Sequence, residues 1–568
     1  MSDILKGGTF VNRYLITARL TAESAFHIGD GERDPRTDSN GTSIKVSTVV
    51  TDGSGKPYLP GSSIRGSIRE WLKKHFQQMD ENLVTKDVVE KLKNIKNESD
   101  EKVRDEKMRQ CISTTSSTFE KLFGSQHNEG KVEVWDAYFC GKQPTTPSNT
   151  FLSGWRQDRI TYVAKSVAID PATGTAEENK LYNFELVPEG TEFQLNLSAQ
   201  NLTDVEAGLL LKLLDAFNDE FDRIALGSMS KRGFGLFNLD QVEVYNVKAG
   251  EQLKEWKGLA KQGADAGSFG IRKPEFKMPD SGNSLKIAAT EIFQPKTASL
   301  LQEKWTVTLE TPLVVRSGGK FGWVNAPHSK TRNKDMQFRW GMPKGTLEEI
   351  SDLNFSIKIE DKEAKPYYHV PSSSIRGSLR DWTITNLLPR DYWNVEEYIK
   401  TLLTPLHSVP NLDDILDLFG SAIDGKTEAV SKFYTKAGRL TIVAKAFTHG
   451  ETEPVMAGTW AKIGNNYGPH NAKRHIKPRN PLDRITHSAK LKGLHNFLEF
   501  SVGQSFTITF AIKDPTPFDE ELLKAWKREI KDGMIRFGGL TGIGRGRISI
   551  AENPVQEGTS NVAQSQPI

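Results

Sequence analysis

The chain has 568 residues, of which 37% are hydrophobic and 26% charged, and its formal net charge of +3 does not by itself indicate a nucleic-acid partner. It shows no signal-like segment and no apolar run of about 20 residues, so we expect a cytoplasmic protein that does not span a membrane. The two cysteines, Cys111 and Cys140, lack a CxxC spacing, which argues against a cysteine metal site and fits a reducing compartment.

The first half alternates predicted strands and helices. Its first segment alternates apolar and polar residues, as a half-buried strand does. The helix after Pro60 carries apolar residues at helical spacing, and the helix from Thr203 begins with a capping-box pattern to Glu206. The predicted elements are a strand at 14–20, a helix after Pro60, a strand, turn and strand over 184–197, a helix from Thr203 and a last strand over 236–245.

The second half repeats the first. Five blocks of sequence recur in the same order, and the spacing between them varies, which predicts a tandem duplication with insertions in loops. A second capping pattern at Thr516, with Pro517 at the first helical position, belongs to the same series. The paired blocks are 59–71 with 370–382, 122–125 with 418–421, 158–161 with 483–486, 184–197 with 497–510, and 226–235 with 537–546.

Each copy therefore has the order strand, helix, strand, strand, helix, strand. This order predicts an α+β fold of two tandem ferredoxin-like (RRM-like) domains, each with an antiparallel sheet that has helices on one face. The predicted divisions are a first domain at 1–247 with a charged helical insertion at about 78–110, a linker or peripheral segment at 248–302, a second domain at 303–551 and a polar tail at 552–568.

The start of the shared helix is the first candidate for anion binding. Backbone amides and serine hydroxyls converge at a helix N-terminus, where the helix dipole favours an anion. Two arginines four residues apart lie on one face of the same helix. Serine capping with exposed arginines is the simpler interpretation, but both copies keep the set, which favours a phosphate cradle. The residues are Ser62, Ser63, Arg65, Arg69, Ser373, Ser374, Arg376 and Arg380.

Two further features indicate contact with a polyanion. Cations flank the glycine-rich blocks, whose glycines let the backbone approach a ligand closely. Basic residues also dominate a stretch from 462 to 492 that holds almost no acids. A tight turn and a solvated loop are the simpler interpretations. The predicted RNA-binding residues of these features are Lys231, Arg232, Gly233, Gly235, Arg536, Gly544, Arg545, Gly546, Lys473 and Arg474.

The run Tyr58-Leu59-Pro60-Gly61-Ser62-Ser63-Ile64-Arg65-Gly66, its second copy and the glycine-rich blocks closely resemble the RAMP superfamily (repeat-associated mysterious proteins), specifically the backbone subunits of type III CRISPR effector complexes. Two repeats in one polypeptide resemble the fused double-backbone subunit of the type III-D branch. The resemblance implies an RRM-like core that holds CRISPR guide RNA, with a thumb hairpin that displaces guide bases at regular intervals, beside complementary target RNA and other effector subunits. It also implies that a loop aspartate cleaves the paired target RNA, in an endoribonuclease reaction that requires a divalent metal ion such as Mg²⁺.

The chain departs from this family pattern at the aspartate. Counted back from Asp52, the family position falls near Val46, which cannot perform the chemistry. A carboxylate at this place would bind a metal ion or orient a 2'-hydroxyl for attack on the adjacent phosphate, whereas a solvated loop carboxylate is the simpler interpretation. The ligands of a metal ion are not predicted. The candidate catalytic residues are Asp34 and Asp38 in the first copy and Asp335 or Asp352 in the second.

Three alternatives stay open at this point. The first is a catalytically inactive structural backbone subunit. The second is a guide-processing RAMP endoribonuclease with a histidine-centred site, for which the candidates are His27 and His369; they do not align, because His27 falls opposite Arg316. The third is an RRM-like interaction protein unrelated to CRISPR. A phosphate-loop enzyme is disfavoured because neither glycine-rich block ends in Gly-Lys-Ser or Gly-Lys-Thr.

Overall fold

The structure is a computed structural model of the chain. Asp38, Asp335 and Lys473 lie outside the described residues, as do most of the predicted insertion and the tail, and only the backbone is described at Asp352 and Arg474. The described residues are 10–37, 43–75, 94–96, 103–104, 107, 111, 118–124, 129–146, 155–169, 176–219, 223–250, 277–278, 282–292, 299–325, 336–340, 349–393, 409–421, 436–445, 448–449, 453–454, 460–463, 466–469, 474–479 and 495–551.

The described elements of the first repeat include ten strands and three α-helices, and residues 94–96 are also helical. One-turn 3-10 helices lie at Ala216–Asn218 and Ser230–Arg232. The strands and helices are β1 (Asn12–Ala22), β2 (Gly29–Thr37), β3 (Ser43–Val49), β4 (Tyr58–Leu59), α1 (Gly61–His75), α2 (Thr118–Phe123), β5 (Val132–Val134), β6 (Ala137–Phe139), β7 (Tyr162–Ile169), β8 (Ala176–Leu186), β9 (Glu192–Gln200), α3 (Asp204–Asp215) and β10 (Phe237–Lys248).

The second repeat follows one further helix and has the same kinds of element. Its one-turn 3-10 helices lie at Arg390–Tyr392 and Thr541–Ile543. The elements are α4 (Asn283–Ile292), β11 (Leu300–Leu309), β12 (Arg316–Asn325), β13 (Met336–Trp340), β14 (Glu349–Leu353), β15 (Phe355–Glu360), β16 (Glu363–Tyr368), α5 (Ser372–Leu387), α6 (Leu412–Phe419), β17 (Gly420–Ser421), β18 (Lys436–Ala437), β19 (Leu440–Ala444), β20 (Thr448–His449), β21 (Glu453–Pro454), β22 (Trp460–Ile463), β23 (Asn466–Pro469), β24 (Arg474–Arg479), β25 (His495–Phe500), β26 (Ser505–Lys513), α7 (Pro517–Lys531) and β27 (Ile548–Ile550).

The main sheet of each repeat is built around the repeat's first strand. In the first repeat the order is β10, β1, β9, β6, β4, with β5 also on β9; in the second, β27, β11 and β26 are neighbours and β19 pairs with β26. All of these pairings are antiparallel; Ile16, for example, lies opposite Val244 on one side and Leu197 on the other. In both repeats, the first strand (β1 or β11) therefore lies between the last strand (β10 or β27) and the strand that precedes the last helix (β9 or β26). The predicted fold class, two ferredoxin-like α+β units, is confirmed.

The apolar patterns of the sequence form the two main cores. Alternate residues of β1, such as Tyr14, Ile16 and Leu20, are almost fully buried, and so are Ile64 and Ile68 of α1. Burying each such side chain contributes roughly 1.5–3 kcal/mol, which makes this packing the main source of stability. Both predicted capping boxes are present, at the starts of α3 and α7.

The predicted strand, turn and strand over 184–197 is not a hairpin within one sheet. β8 ends at Leu186 in a second sheet with the order β2, β3, β8, β7, and β9 lies in the main sheet. The intervening turn, with Gly190 at φ +81°, is a corner between two sheets. In the second repeat, β25 and β26 separate in the same way. The second strand position of each ferredoxin-like unit is filled instead by β5 and β6, or by β19.

The two repeats are held together by the antiparallel pair β15 and β16, which we call the long hairpin (355–368). The amide of Ile359 donates to the carbonyl oxygen of Glu189 at 2.7 Å, and the amide of Thr145 donates to that of Lys362 at 2.8 Å. A small apolar cluster joins Ile357 of the long hairpin to residues of the first repeat that include Phe184. The second repeat thus adds strand-like pairing to the edge of the first.

Within the segment predicted as a linker, α4 packs against α3. The approach is so close that a Cβ on Gly208 would lie 1.9 Å from the carbonyl oxygen of Leu285, which explains a glycine inside a helix. Leu285 and Ala289 are buried against the first core. Within the described parts of the chain, no helix is long and apolar enough to cross a membrane.

Candidate functional site

The predicted serines lie at the beginnings of α1 and α5, but they do not cap these helices in the usual way. α5 has Pro371 at its N-cap, and no side-chain cap bond is formed. In the first repeat the amide of Gly61 donates to Asp136 Oδ1 at 2.7 Å. In the second, the hydroxyl of Ser372 accepts from the amide of Ala444 at 3.0 Å. These contacts fix each helix start to the neighbouring strand. Ser62 is exposed, and Ser63, Ser373 and Ser374 are half-buried.

The first arginine of each pair has an internal partner that the sequence did not predict. Arg65 Nη2 donates to the carbonyl oxygen of Phe123, the last residue of α2. Arg376 donates from Nη1 to Leu440 at 2.9 Å and from Nη2 to Phe419, the last residue of α6, at 2.5 Å. Each guanidinium therefore satisfies a free carbonyl at a helix C-terminus, where a cation is favourable. The two repeated blocks, Ser-Ser-Ile-Arg-Gly and Leu-Phe-Gly-Ser, are in contact through these bonds.

Four cations lie close together where the two repeats meet; we call Lys231, Arg232, Arg376 and Arg380 the junction cluster. Lys231 Nζ donates to Thr441 Oγ1 of the second repeat at 3.2 Å, and Arg232 Nη1 donates to the hydroxyl of Tyr182 at 2.9 Å. Burial, together with the positive charges of Arg232 and Arg380, lowers the pKa of Arg376 to about 10. These positive charges together create a local positive potential, and a bound anion would reduce the repulsion among them.

The same feature is smaller in the first repeat. Burial and the charge of Arg69 lower the pKa of Arg65. Arg69 lies over the ring of Phe119 at 5.0 Å from its centroid, a cation–π contact.

The glycine-rich blocks are required by the fold itself. Gly235 and Gly546 have φ of +74° and +81°, and a Cβ would lie 2.0 Å from the carbonyl oxygen of Leu226 and 1.9 Å from that of Phe537. A bulky residue at either position would therefore disturb folding, because the crowding is inside the chain. Gly544 is different: its φ is +86°, but no described atom lies within 4 Å of its Cβ position.

The predicted cations of the second glycine-rich block have partners nearby. Arg536 donates to the carbonyl oxygens of Gly533 and Thr541, both at 3.0 Å. Arg545 Nε donates to the buried carboxylate of Glu499 at 2.8 Å. These bonds shape the turn, and they place two guanidinium groups beside the exposed glycines 542 and 544.

Asp34 lies directly across from Val46 in the antiparallel pair of β2 and β3. Val46 is fully buried, whereas the Asp34 side chain is 43% exposed and its Oδ2 is 3.6 Å from Arg36 Nη2. Arg36 also donates to the buried carboxylate of Glu185 at 2.7 Å. The strand register thus brings a partly exposed carboxylate next to the position that the family pattern assigns to its aspartate. Asp38 and Asp335 lie outside the described residues, and the side chain of Asp352 is not described.

The described residues do not form a donor set for a resident metal ion. No group of three His, Cys, Asp or Glu side chains in the described ranges could hold one. The charged neighbour of Asp34 is a guanidinium, which repels a cation.

The two candidate histidines are not equivalent, and both are in internal contacts. His27 Nδ1 is 2.8 Å from the carbonyl oxygen of Glu185. Burial lowers the pKa of His369 to about 4, and this ring contacts Asn354 Nδ2 at 3.2 Å. Equivalent backbone bonds, to the carbonyl oxygens of His27 and Val314, place His27 opposite Val314 and not opposite Arg316 as the sequence suggested.

Two buried ion pairs are not predicted by the sequence patterns. Lys131 Nζ is 2.9 Å from both carboxylate oxygens of Glu206, and Arg439 Nη1 is 2.6 Å from Asp519 Oδ2. Both acids are the capping-box residues of the helix before the last strand of their repeat, α3 for Glu206 and α7 for Asp519. The only local signal was the weak match of Gly130-Lys131-Val132 with Gly438-Arg439-Leu440.

The comparisons with known proteins point the same way as the repeat. The family model described as "RAMP superfamily" matches residues 19–238 and 306–549, one region for each repeat and together well over half of the chain. The comparison with curated proteins found no match.

Proposed function

The chain belongs to the RAMP superfamily, whose members have ferredoxin-like folds, and we propose that it is a double backbone subunit of a type III CRISPR effector complex. Membership of the superfamily indicates a CRISPR-associated RNA-binding role. The finer proposal is that each repeat holds one stretch of guide RNA, that the target RNA pairs with this guide, and that other effector subunits adjoin both ends. The fused arrangement is that of the type III-D branch.

The junction cluster is the observation that best supports guide binding. Lys231 and Arg232 come from the glycine-rich block of the first repeat, and Arg376 and Arg380 from the first helix of the second. Phosphate contacts position a nucleic acid without reading its sequence, as a subunit that accepts many guides requires. An RRM-like interaction protein unrelated to CRISPR is disfavoured by the family match.

We also propose that the first repeat cleaves the target RNA through Asp34. Its carboxylate would take the proton of a target 2'-hydroxyl, whose oxygen then bonds to the adjacent phosphorus while the 5'-oxygen of the next nucleotide leaves. The position of Asp34 beside Val46 supports this assignment. A catalytically inactive backbone is the second candidate, favoured by the partnership of Asp34 with Arg36. The histidine-centred guide-processing reaction is disfavoured because both rings are engaged inside the fold.

The test of guide binding is to isolate the chain from its own cells with its associated proteins and to sequence the RNA that copurifies. A single population of repeat-derived guides is the expected result. The variant Arg232→Glu/Arg380→Glu should recover clearly less of this RNA, because only the contacts of the second repeat are removed, and the matched control Arg528→Glu, on the 69% exposed side chain of α7, should recover as much as the parent chain. RNA of random sequence, or equal recovery with both variants, would contradict the proposal.

A further inference from the structure

The surface by which the first repeat holds the second is present again on the second repeat, where none of the described residues covers the glycine at its centre. Equivalent backbone bonds define the match: Gly190 donates to Ala22 at 2.7 Å as Gly503 donates to Leu309 at 2.9 Å. A Cβ on Gly190 would lie 2.3 Å from the carbonyl oxygen of Ile359 in the long hairpin. At Gly503, no described atom lies within 4 Å of the same position.

The glycine-rich blocks show the same difference. The Cβ position of Gly233 is 3.2 Å from Ser372 Oγ and 3.3 Å from the carbonyl oxygen of Ile442, so this turn rests on the second repeat. Its counterpart Gly544 faces open space as far as the described residues extend. Two separate segments that the other repeat contacts in the first repeat therefore have no such contact, within the described ranges, in the second.

The chemistry of this surface changes between the repeats. Glu189 is paired with Lys358 of the long hairpin, Oε1 to Nζ 3.2 Å, and its counterpart in the second repeat is Val502, which is 56% exposed. The counterpart of Arg232 is Ile543, which is 47% exposed. Glu189 and Arg232 of the first repeat are thus replaced by exposed apolar side chains in the second. Exposed apolar groups at a repeated docking position indicate a partner.

A second copy of this chain does not offer the matching partner surface. The long hairpin has 14 residues, from Phe355 to Tyr368, whereas its counterpart in the first repeat is the tight turn of residues 51–57. There Asp52 Oδ1 accepts from the amides of Ser54 and Lys56, both at 2.9 Å, which closes the turn at once. The turn is too short to place a strand beside Val502 and Gly503.

We propose that the open end of the second repeat docks a different polypeptide, which carries a hairpin as long as 355–368 and an apolar side chain where Lys358 stands. The hairpin adds its strand to the edge at Gly503, as the long hairpin does at Gly190, and its apolar side chain covers Val502. Val502 cannot form the ion pair that Glu189 forms with Lys358, so a docked hairpin with a lysine at that place is unfavourable. The second repeat therefore selects a different neighbour, and the chain does not extend by binding itself.

This inference deepens the proposed function by giving the chemistry of one neighbouring subunit. Its test contains no RNA, so a failure here is distinct from a failure of guide binding.

The experiment transplants the long hairpin. Residues 51–57 are replaced by the sequence 355–368. One graft keeps this sequence unchanged, and in the other the lysine that corresponds to Lys358 is changed to leucine. Each graft is combined with Val502 or with Val502→Glu. Self-association is measured by sedimentation. We expect the leucine graft to associate with Val502 and the lysine graft with Val502→Glu, each at least tenfold more tightly than the two crossed combinations. Each graft and each acceptor appears in one matched and one crossed combination, so a folding defect would affect both.

A second measurement does not depend on the graft. A disulfide-cyclised peptide of residues 355–368, with leucine in place of Lys358, should bind the full chain, and Val502→Glu should weaken this binding at least tenfold. The unaltered chain should sediment as a monomer. Two results overturn the inference: self-association of the unaltered chain that Val502→Glu abolishes, or the absence of any preference between matched and crossed combinations together with no peptide binding.

Discussion

Arg376 donates to the carbonyl oxygen of Phe419 at 2.5 Å, and Arg65 makes the equivalent bond to Phe123. The two sequence blocks that recur most clearly in this chain are therefore recurrent because they contact each other. Each arginine closes the C-terminus of a short helix that ends at a left-handed glycine, Gly420 or Gly124. The prediction that all four paired arginines contact RNA phosphates stays a prediction, and the first arginine of each pair has a structural role as well.

This role predicts different outcomes for the two arginines of α5. Arg376→Ala removes two hydrogen bonds from a charged donor, and we expect the free energy of unfolding to fall by about 2–4 kcal/mol. Arg380→Ala, which leaves both of these hydrogen bonds in place, should lower it by less than Arg376→Ala does. Urea unfolding followed by circular dichroism measures both values. Equal stability of the two variants would show that the carbonyl contacts of Arg376 contribute nothing.

The buried ion pairs predict that the residue types of one repeat's pair can replace those of the other as a set. The first repeat pairs a lysine with a glutamate, Lys131 with Glu206, and the second pairs a longer cation with a shorter acid, Arg439 with Asp519. Lys131→Arg overfills its site and Glu206→Asp leaves a gap, so each should lower the unfolding free energy by about 1–3 kcal/mol. The double variant should recover at least half of the summed loss.

The control for this cycle is the exposed pair Lys286 and Asp215, where Lys286→Arg and Asp215→Glu should show no coupling. Thermal unfolding of the parent chain and the six variants gives both coupling energies. A double variant at Lys131 and Glu206 that is as unstable as the sum of the single variants argues against an interchangeable pair.

The glycines of the second block separate steric crowding from backbone strain. Gly544→Ala is expected to meet the strain of a left-handed residue, about 1–2 kcal/mol, because none of the described atoms lies within 4 Å of its Cβ position. Gly546→Ala meets the same strain and a Cβ 1.9 Å from the carbonyl oxygen of Phe537, so it should lower the melting temperature much further or prevent soluble expression. Soluble yield and melting temperature are compared with the parent chain. Similar values for the two variants would mean that the turn relaxes without cost.

Local sequence patterns were sufficient for α1, α3, α5 and α7 and for the fold class, but they did not predict α2, α4 or α6. The spacing of Ile64 and Ile68 and the capping box of Thr203 with Glu206 depend on neighbours within one or two helical turns. The bonds of Arg376 to Phe419 and of Lys131 to Glu206 cross 43 and 75 residues, and nothing in a local pattern encodes such distances.

The turns show the same limit. A strand, a glycine and a strand around Gly190 look the same in sequence whether the two strands pair or enter different sheets. The contact with Ile359 that occupies this corner comes from the other repeat. The internal crowding at Gly235 is visible only in three dimensions, so the sequence alone does not show that the fold itself requires this glycine. Asp34 was identified as an available acid, but its place beside Val46 depends on strand register.

Cleavage of target RNA provides a prediction for Asp34. Asp34→Asn should abolish one of the cuts in a complementary RNA while leaving target binding intact, because the change removes the proton acceptor and keeps the shape. The neighbouring exposed acid gives a matched control, Glu32→Gln, which should cut normally. Products are mapped with end-labelled RNA, with Mg²⁺ and with chelator, which tests the metal requirement implied by the family resemblance.

The remaining candidate aspartates are tested in the same assay. Asp38→Asn is combined with Asp34→Asn, and Asp335→Asn with Asp352→Asn, to decide whether each repeat makes its own cut. Persistence of every product in all of these variants would favour the inactive backbone subunit or a catalytic residue elsewhere.

The central claim is that each repeat holds guide RNA at the same place, the start of its first helix and the glycine-rich turn beside it. Ultraviolet cross-linking of the purified complex, followed by mass spectrometry of the peptides, measures this directly. We expect cross-links to guide RNA in both 61–69 and 372–380, and Arg232→Glu/Arg380→Glu should remove the second set while the first remains. Guide cross-links confined to one repeat, or absent from both helix starts, would contradict the account.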